Sequence, residues 1–336
     1  MQPIEIFALS HFGKFKVEEI ESIKGKTLKD ILESDFLQGN EKFKARYDEK
    51  FLLDQKRKIE EHGVKLIDYW HEDYPKLLRE TFSPPPVLFC LGNVKLLNER
   101  CISVVGTRKP TSYGKAVVKK IVSQLVQADF VIVSGLAFGI DAFAHETALE
   151  LGGKTVAVLG TGVDICYPSS NRRIYEKIVQ TGCLISEFPM GTKPAKYQFP
   201  MRNRIIAGLS RATIVVEAPL ESGALITARQ AAEMGREVFA VPGDIDRKSS
   251  EGCNWLIKMG AIPLTDCQQI FDLYGIKGEV EKTKDDFLEI FKDGPMQVEE
   301  IAEKVGLSVS EVLVKLTEYE LSGKIVKTFD GRYYKS

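Results

Sequence analysis

From Cys101 onward, short β-branched runs alternate with longer segments of helical periodicity, and this alternation constrains the fold more than any other feature. Strands are predicted at 102–105, 130–133, 156–159, 183–187, 213–217 and 238–241. The helices predicted between and after them cover 115–126, 142–151, 171–179, 203–209, 224–234 and 254–259. Nearly continuous apolar strands joined by helical crossovers are typical of a parallel sheet covered on both faces. We therefore predict an α/β fold in which residues 71–275 form a Rossmann-like, doubly wound, mainly parallel sheet.

Segments of different character flank this region. Residues 1–70 combine Lys and Glu with apolar residues at helical spacing, which predicts a small helical domain. A turn-rich stretch at 82–86 leads into 87–92, a short strand expected to join the sheet. The polar residues 276–284 predict a linker. Residues 285–336 predict three helices and a hairpin, with a capping box at Ser308 and Glu311, which is the layout of a winged-helix domain.

The charge of the chain is nearly balanced but unevenly distributed. Lys and Arg number 46 and Asp and Glu 47, a formal net charge of -1 that by itself disfavours a nucleic-acid partner. Residues 101–211, however, contain 14 bases and 7 acids, whereas 212–336 contain 15 bases and 22 acids. The middle segment is therefore the expected anion-binding surface.

The cysteines and the N-terminus indicate a cellular compartment. The six cysteines are far apart and form no C-x-x-C pair, so we expect buried thiols in a reducing compartment and neither disulfides nor a metal site. The first residues do not resemble a secretory signal, and no uncharged apolar run approaches the roughly 18 residues of a membrane span. We therefore expect a cytoplasmic protein without a membrane partner.

Candidate ligand-binding residues follow the predicted strands. The first strand ends at Gly106, Thr107 and Arg108, and the second ends at Ser134, Gly135 and Gly139, where a helix begins. Carboxyl ends of parallel strands meet at one edge of a sheet, where backbone N–H groups and an arginine hold phosphates. The glycine spacing differs from G-x-G-x-x-G, so no dinucleotide cofactor is expected.

A basic and aromatic segment precedes the fifth strand. It contains Lys196, Phe199, Arg202, Asn203 and Arg204. Single-stranded nucleic acid needs this mixture of phosphate neutralisation, stacking and base-edge hydrogen bonding, although a solvated basic loop has a similar composition. Ser222 and Gly223 then begin another helix, whose free N–H groups face an anion.

Catalytic interpretations are weaker. The sequence Gly153-Lys154-Thr155 resembles the end of a P-loop, but position 148 is alanine and a helix precedes the strand, which is the wrong order. Asp141 and His145 are one helical turn apart and could pair, yet no serine or cysteine completes a triad. We expect no catalytic residues and no enzyme activity.

Six ordered motifs over about residues 70–275 resemble the DNA-processing protein A family (DprA, also called Smf). They are Tyr74-Pro75 with 84–88, 105–108, 134–141, Tyr167-Pro168 with Asn171-Arg172, 199–210, and 222–228 with 235–238 and 241–243. The resemblance implies a homodimeric single-stranded DNA-binding protein of natural transformation and recombination, active in competent cells. It also implies that the protein protects incoming strands, loads RecA onto DNA covered by single-strand-binding protein, and hydrolyses no nucleotide. The family often begins with a helix-hairpin-helix or SAM-like domain.

The resemblance also implies a set of DNA-contacting residues. Together with the strand-end residues above, the single-stranded DNA site is predicted to comprise Gly106, Thr107, Arg108, Ser134, Gly135, Gly139, Asn171, Lys196, Phe199, Arg202, Asn203, Arg204, Ser222 and Gly223. The winged helix contains 7 bases and 11 acids, so phosphate repulsion disfavours duplex reading and we expect a protein-contact or regulatory module.

Two alternatives remain open at this point. Phosphoribohydrolases of the LOG type, which act on nucleoside monophosphates, are similar in sheet layout, but 222–230 lacks their catalytic glutamate pair. A transcription regulator that uses the winged helix would bind a specific duplex more tightly than oligo-dT.

Overall fold

The structure is a computed structural model that describes residues 1–34, 40–276, 286–321, 323–328 and 330–335. The chain divides into two compact units, Met1–Ile276 and Lys277–Ser336. The predicted linker at 276–284 lies outside the described residues except for Ile276. No helix within the described ranges has both the length and the apolar character that crossing a bilayer requires.

A nine-stranded sheet forms the centre of the first unit, in the order β1-β2-β6-β5-β4-β3-β7-β8-β9. The strands are β1 (Lys65–Asp68), β2 (Val87–Gly92), β3 (Cys101–Val105), β4 (Val131–Ser134), β5 (Lys154–Val158), β6 (Cys183–Ser186), β7 (Ala212–Val215), β8 (Glu237–Ala240) and β9 (Ile262–Pro263). β2 is antiparallel to β1 and to β6, and the other neighbours are parallel. The predicted mainly parallel α/β fold is confirmed, with all six predicted strands present and the 87–92 strand inside the sheet.

Helices cover both faces of this sheet. They are α6 (Lys76–Arg79), α7 (Ser112–Gln127), α8 (Ile140–Glu150), α9 (Arg172–Thr181), α10 (Gln198–Gly208), α11 (Gly223–Glu233), α12 (Glu251–Lys258) and α13 (Gln268–Leu273). Successive strand residues point to opposite faces. Val156 and Val158 share an apolar cluster with Ile205 of α10, whereas Ala157 packs in the cluster of Ile178 from α9.

The direction of the chain through the sheet determines where a ligand fits. β3 lies between β4 and β7. The chain leaves β3 toward β4, continues to β6, and only then returns to β7. Because crossovers between parallel strands are right-handed, the connections made before and after this reversal lie on opposite faces. The carboxyl ends of β3 and β7 therefore border a crevice, the usual ligand position in such sheets.

The N-terminal helices pack onto the antiparallel side of the sheet. They are α1 (Pro3–Ala8), α2 (Val17–Glu21), α3 (Leu28–Glu33), α4 (Asn40–Arg46) and α5 (Glu49–Glu61), with a π-helical turn at Leu9–Gly13. Their apolar cluster includes Phe89 of β2, and the buried Gln55 side chain makes two hydrogen bonds to the Met190 backbone. The predicted helical region is present. Residues 1–70 also contain the strand β1, which belongs to the sheet. The domain boundary at residue 70 stays a prediction.

The second unit has the predicted winged-helix layout. It contains α14 (Asp286–Glu289), a 3₁₀ turn at Ile290–Asp293, α15 (Val298–Val305), α16 (Val309–Leu321), β10 (Ile325–Lys327) and β11 (Tyr333–Lys335). The predicted capping box begins α16, because Ser308 Oγ accepts from Glu311 N and the Glu311 carboxylate accepts from Ser308 N. Lys315 of α16 lies over the ring of Phe287, 5.4 Å from its centroid.

Candidate nucleic-acid interface

A cleft of about 900 Å³ lies at the carboxyl ends of β3 and β7. Its walls are the turn after β3, the loop after β7, and the first turns of α10 and α11. Of the predicted site residues it brings together Gly106, Thr107, Arg108, Lys196, Phe199, Arg202, Asn203, Ser222 and Gly223. Its lining leaves out Ser134, Gly135, Gly139, Asn171 and Arg204.

Close backbone packing fixes the turn that carries Arg108. Thr107 N donates to Glu217 O at 2.6 Å, and Ile140 N donates to Thr107 O at 3.1 Å. Gly139 has a φ of 78°, and a Cβ there would lie 2.6 Å from the carbonyl carbon of Arg108. A side chain at Gly139 would therefore push the turn away. The glycine positions the turn, and the Arg108 side chain is exposed at the cleft.

Phe199 provides an aromatic surface beside this arginine. The ring is half-buried, with one side close to Gly160, where a Cβ would lie 2.8 Å from the ring. The Arg108 guanidinium lies 6.0 Å from its centroid, and the Tyr167 ring lies 5.6 Å away. With the exposed Lys196 in the same cleft, the arrangement combines an aromatic surface with two cations.

The structure corrects the role expected for Arg202. Its side chain is a buried group, with the residue only 4% exposed. The Nη1 atom donates to Gly135 O at 2.6 Å and to Val158 O, and Nε donates to Asn203 Oδ1 at 3.2 Å. A Cβ on Gly135 would lie 2.6 Å from the guanidinium carbon, so glycine there makes room for Arg202. Arg202 therefore ties α10 to the ends of β4 and β5.

Two buried titratable groups lie behind this arginine. Burial raises the pKa of Asp141, although the Arg202 guanidinium acts in the opposite direction, and its Oδ2 accepts from Gly135 N at 3.2 Å. His145 Nδ1 lies 2.6 Å from Thr155 Oγ1. Because the Thr155 hydroxyl donates to Ile132 O, the histidine Nδ1–H must be the donor. Asp141 and His145 thus have separate partners, and the pairing considered from the sequence is not present.

Burial and the nearby Arg202 charge lower the pKa of His145 to about 3. Burial also lowers the pKa of Arg202 to about 10, which leaves the guanidinium charged at neutral pH. The histidine is therefore neutral and the arginine cationic in the folded protein. No cluster of three or more His, Cys, Asp or Glu side chains suited to a metal occurs in the part of the chain that the structure describes.

Arg204 also differs from the sequence prediction. Its guanidinium forms an ion pair with Glu187, and Nη1 donates to Ser83 O at 2.8 Å. These partners lie on the opposite side of α10 from the cleft, since Arg204 lines a separate cavity. Of the three cations in the basic segment, Lys196 is exposed in the cleft, Arg202 lines it as a buried group, and Arg204 lies outside it.

The remaining predicted residues position the loops. Ser134 Oγ is buried and donates to Val104 O at 2.6 Å, and Asn171 Nδ2 donates to Leu136 O at 3.0 Å. Ser222 accepts from Ala224 N at 3.2 Å and so begins α11. Asn203 Nδ2 lies 3.4 Å from Gly223 O, so the starts of α10 and α11 are connected within the cleft.

Comparison with known families agrees with this architecture. The model of the family described as DNA recombination-mediator protein A matches residues 65–275, and the model of the DprA winged helix domain matches residues 279–331. The chain belongs to the DNA-processing protein A family. Protein Smf of Synechocystis sp. is 49% identical to it over 210 residues, which are 60% of this chain and 53% of that protein.

Two solved structures of the DprA family resemble the chain. DprA from Streptococcus pneumoniae is 38% identical with a TM-score of 0.73, and the match covers 81% of this chain and 98% of that one. DprA from Helicobacter pylori, whose structure is described as giving insight into a single-stranded DNA binding mode, is 31% identical with a TM-score of 0.57. That match covers 63% of this chain and 95% of the other.

Sequence reasoning missed three residues of this DprA-family cleft. Tyr167 lies beside Phe199, and Lys109 and Lys248 line the same cleft. Tyr167 belongs to one of the six motifs that resemble the family, and Lys109 directly follows Arg108, so both residues could have been predicted from the sequence. Lys248 follows β8 and lies 3.7 Å from Glu221; only the fold brings it to the cleft.

Proposed function

We propose that this DprA-family chain binds single-stranded DNA in the cleft, with phosphates at Arg108 and Lys196 and a base stacked on Phe199. One observation carries the proposal, namely the cation of Arg108 placed 6.0 Å from the centroid of a half-buried aromatic ring that lines an open cleft. A duplex hides the faces of its bases, so a stacking surface of this kind favours unpaired strands.

We further propose that the protein takes part in DNA processing during natural transformation and recombination, where it protects incoming strands, loads RecA and acts as a homodimer. The names of the relatives and the H. pylori structure support the DNA-processing part of this proposal. RecA, single-strand-binding protein and a second copy of the chain are the proposed protein partners. In this proposal, strand protection and RecA loading require no nucleotide hydrolysis.

The cleft is tested by fluorescence anisotropy with labelled oligo-dT and a duplex of equal length. We expect tighter binding of the single strand, and Phe199→Ala should weaken it by about 1–3 kcal/mol because one stacked base is lost. Phe199→Tyr keeps the aromatic face and should retain affinity. Phe138→Ala is the matched control, since Phe138 is 48% exposed and lies outside the cleft lining.

Equal affinity for single and double strands, or an unchanged affinity in Phe199→Ala, would contradict the proposed site. Release of free base from AMP by the purified protein would instead favour the phosphoribohydrolase alternative. RecA loading is tested separately by following filament assembly on strands coated with single-strand-binding protein, where wild type should accelerate assembly and Arg108→Ala should do so less.

A further inference from the structure

A second cavity lies on the other side of α10, within the first unit. We call it the N-terminal cavity; its volume is about 710 Å³, and residues of the N-terminal helices, the 82–87 loop, the segment after β6 and α10 line it. None of the predicted site residues except Arg204 lines it. The DNA-binding role proposed for the cleft therefore leaves this cavity without a function.

Exposed aromatic side chains give the N-terminal cavity its chemical character. Phe82 is 65% exposed and Tyr197 is 67% exposed, and both line it together with the half-exposed Met201. Exposed apolar side chains that line one concave surface together mark a ligand or partner site, whereas isolated ones on a surface are ordinary. Tyrosine and phenylalanine rings at this exposure are the surfaces on which unpaired bases stack.

The charges around the cavity favour an anionic chain. Lys14 and Lys16 are exposed and line it, and neither forms an ion pair with a described residue. Of the two acids, Glu187 is already paired with Arg204, which leaves Glu18. Burial lowers the pKa of His11 to about 4, so this histidine adds no charge at neutral pH.

The N-terminal cavity and the cleft are lined by consecutive residues at the start of α10. Lys196 lines the cleft, and the next residue, Tyr197, lines the N-terminal cavity. Residues 197, 201 and 204 form one stripe of the helix at a spacing of three to four, whereas 199, 202, 203 and 206 form another. A strand that leaves the cleft past Lys196 therefore reaches Tyr197 after one residue of protein.

We propose that the N-terminal cavity is a second subsite for the same single strand, where bases stack on Tyr197 and Phe82 and phosphates lie near Lys14 and Lys16. This proposal rests on the proposed binding of single-stranded DNA in the cleft. It assigns the N-terminal region a role in DNA binding, because the short segment between the π-helical turn and α2 supplies both lysines. Short strands would occupy the cleft alone, and longer strands would occupy both cavities.

The test measures affinity of the full chain for oligo-dT of about 4 to about 16 nucleotides, the range of site sizes common for such grooves. Tyr197→Ala should weaken binding of the longest strand by about fivefold to 150-fold, the change that corresponds to one stacked base. It should leave the shortest bound strand unaffected. Tyr197→Phe should retain wild-type affinity at every length, since the ring remains.

The lysines are tested through the salt dependence of binding. Lys14→Ala and Lys16→Ala should each reduce the magnitude of the slope of log K against log salt by roughly 0.7 with the longest strand only. Lys29→Ala is the matched control, because this lysine is equally N-terminal, exposed, and outside the cavity lining. Tyr334→Ala, in the hairpin of the second unit, is the control for removing an exposed tyrosine.

The outcomes separate this proposal from the function on which it rests. If wild type binds no oligonucleotide, the proposed function fails. If wild type binds but Tyr197→Ala behaves like wild type at all lengths, the second subsite is refuted while the cleft stands. If Tyr197→Ala weakens short and long strands equally, Tyr197 acts through the cleft and the second subsite is again refuted.

Discussion

Replacing Arg202 distinguishes a buried structural cation from a phosphate ligand. In Arg202→Ala, the carbonyl groups of Gly135 and Val158 lose their donor, and the buried Asp141 loses the positive charge that counteracts the rise of its pKa. Arg108→Ala removes an exposed guanidinium whose described contact is with the Phe199 ring. The two substitutions remove the same formal charge from the same cleft, yet we expect opposite signatures.

The magnitudes follow from burial. Removing one partner of a buried charge pair costs about 3–5 kcal/mol, because the other charge stays uncompensated. We therefore expect Arg202→Ala to lower the free energy of unfolding by about that amount, with an unchanged salt slope for the folded protein. Arg108→Ala should change stability by less than about 0.5 kcal/mol, while the slope with oligo-dT falls by roughly 0.7 in magnitude.

Urea denaturation measures the free energy of unfolding, and anisotropy titrations at several salt concentrations measure the salt slope of oligo-dT binding. Arg202→Lys serves as the control, since it retains the charge but cannot reach both carbonyl groups with one planar fork. It should recover part of the lost stability. A folded, fully stable Arg202→Ala protein with a reduced salt slope would refute the reasoning, because it would place the guanidinium on a phosphate.

Three further predictions concern the rest of the chain. The pKa of His145 is lowered from 6.5 in the unfolded chain to about 3 in the folded protein. Between these pH values the unfolded state binds more protons, so the free energy of unfolding falls as the pH drops from 6.5. Urea titrations across that range should show a shallower fall for His145→Gln, by up to about 1.4 kcal/mol per pH unit. Gly114→Ala should destabilise by about 1–3 kcal/mol, because the added Cβ would overlap the buried Glu217 carboxylate and lie 2.6 Å from its Cδ; a wild-type midpoint in urea would contradict this. Lys315→Ala should leave duplex binding unchanged in gel-shift titrations, since this lysine covers the Phe287 ring, and a clear loss would show that α16 contacts DNA.

The sheet was predictable because buried parallel strands need apolar runs, and those runs are long enough to be read directly. The residue at which α10 begins could not be predicted in the same way. The predicted helix covers 203–209, but α10 begins at Gln198 and includes Pro200. Proline is tolerated in the first turn of a helix, where its missing N–H has no partner to lose, so it did not mark a boundary.

The helical start at Gln198 also determines where Arg202 and Arg204 point. In an irregular loop, Arg202 and Arg204 would be two members of one basic cluster. On a helix, two residues that are two positions apart point to nearly opposite sides, so one enters the sheet interior and the other meets Glu187. Composition predicted a basic segment, whereas the direction of each side chain depended on helical geometry that no local pattern supplied.

If single-stranded DNA binds in the cleft as proposed, the small number of cations there would govern how the strand leaves. Besides the buried Arg202, the cations that line the cleft are Arg108, Lys109, Lys196 and Lys248. The Lys248 Nζ atom lies 3.7 Å from Glu221 Oε1. If Arg108, Lys109 and Lys196 each held a phosphate, the salt slope would be about -2, and a fourfold rise in salt would weaken binding by only roughly 20-fold. Stacked bases can be released one at a time, and a protein that competes for them can therefore take over the strand progressively at constant ionic strength.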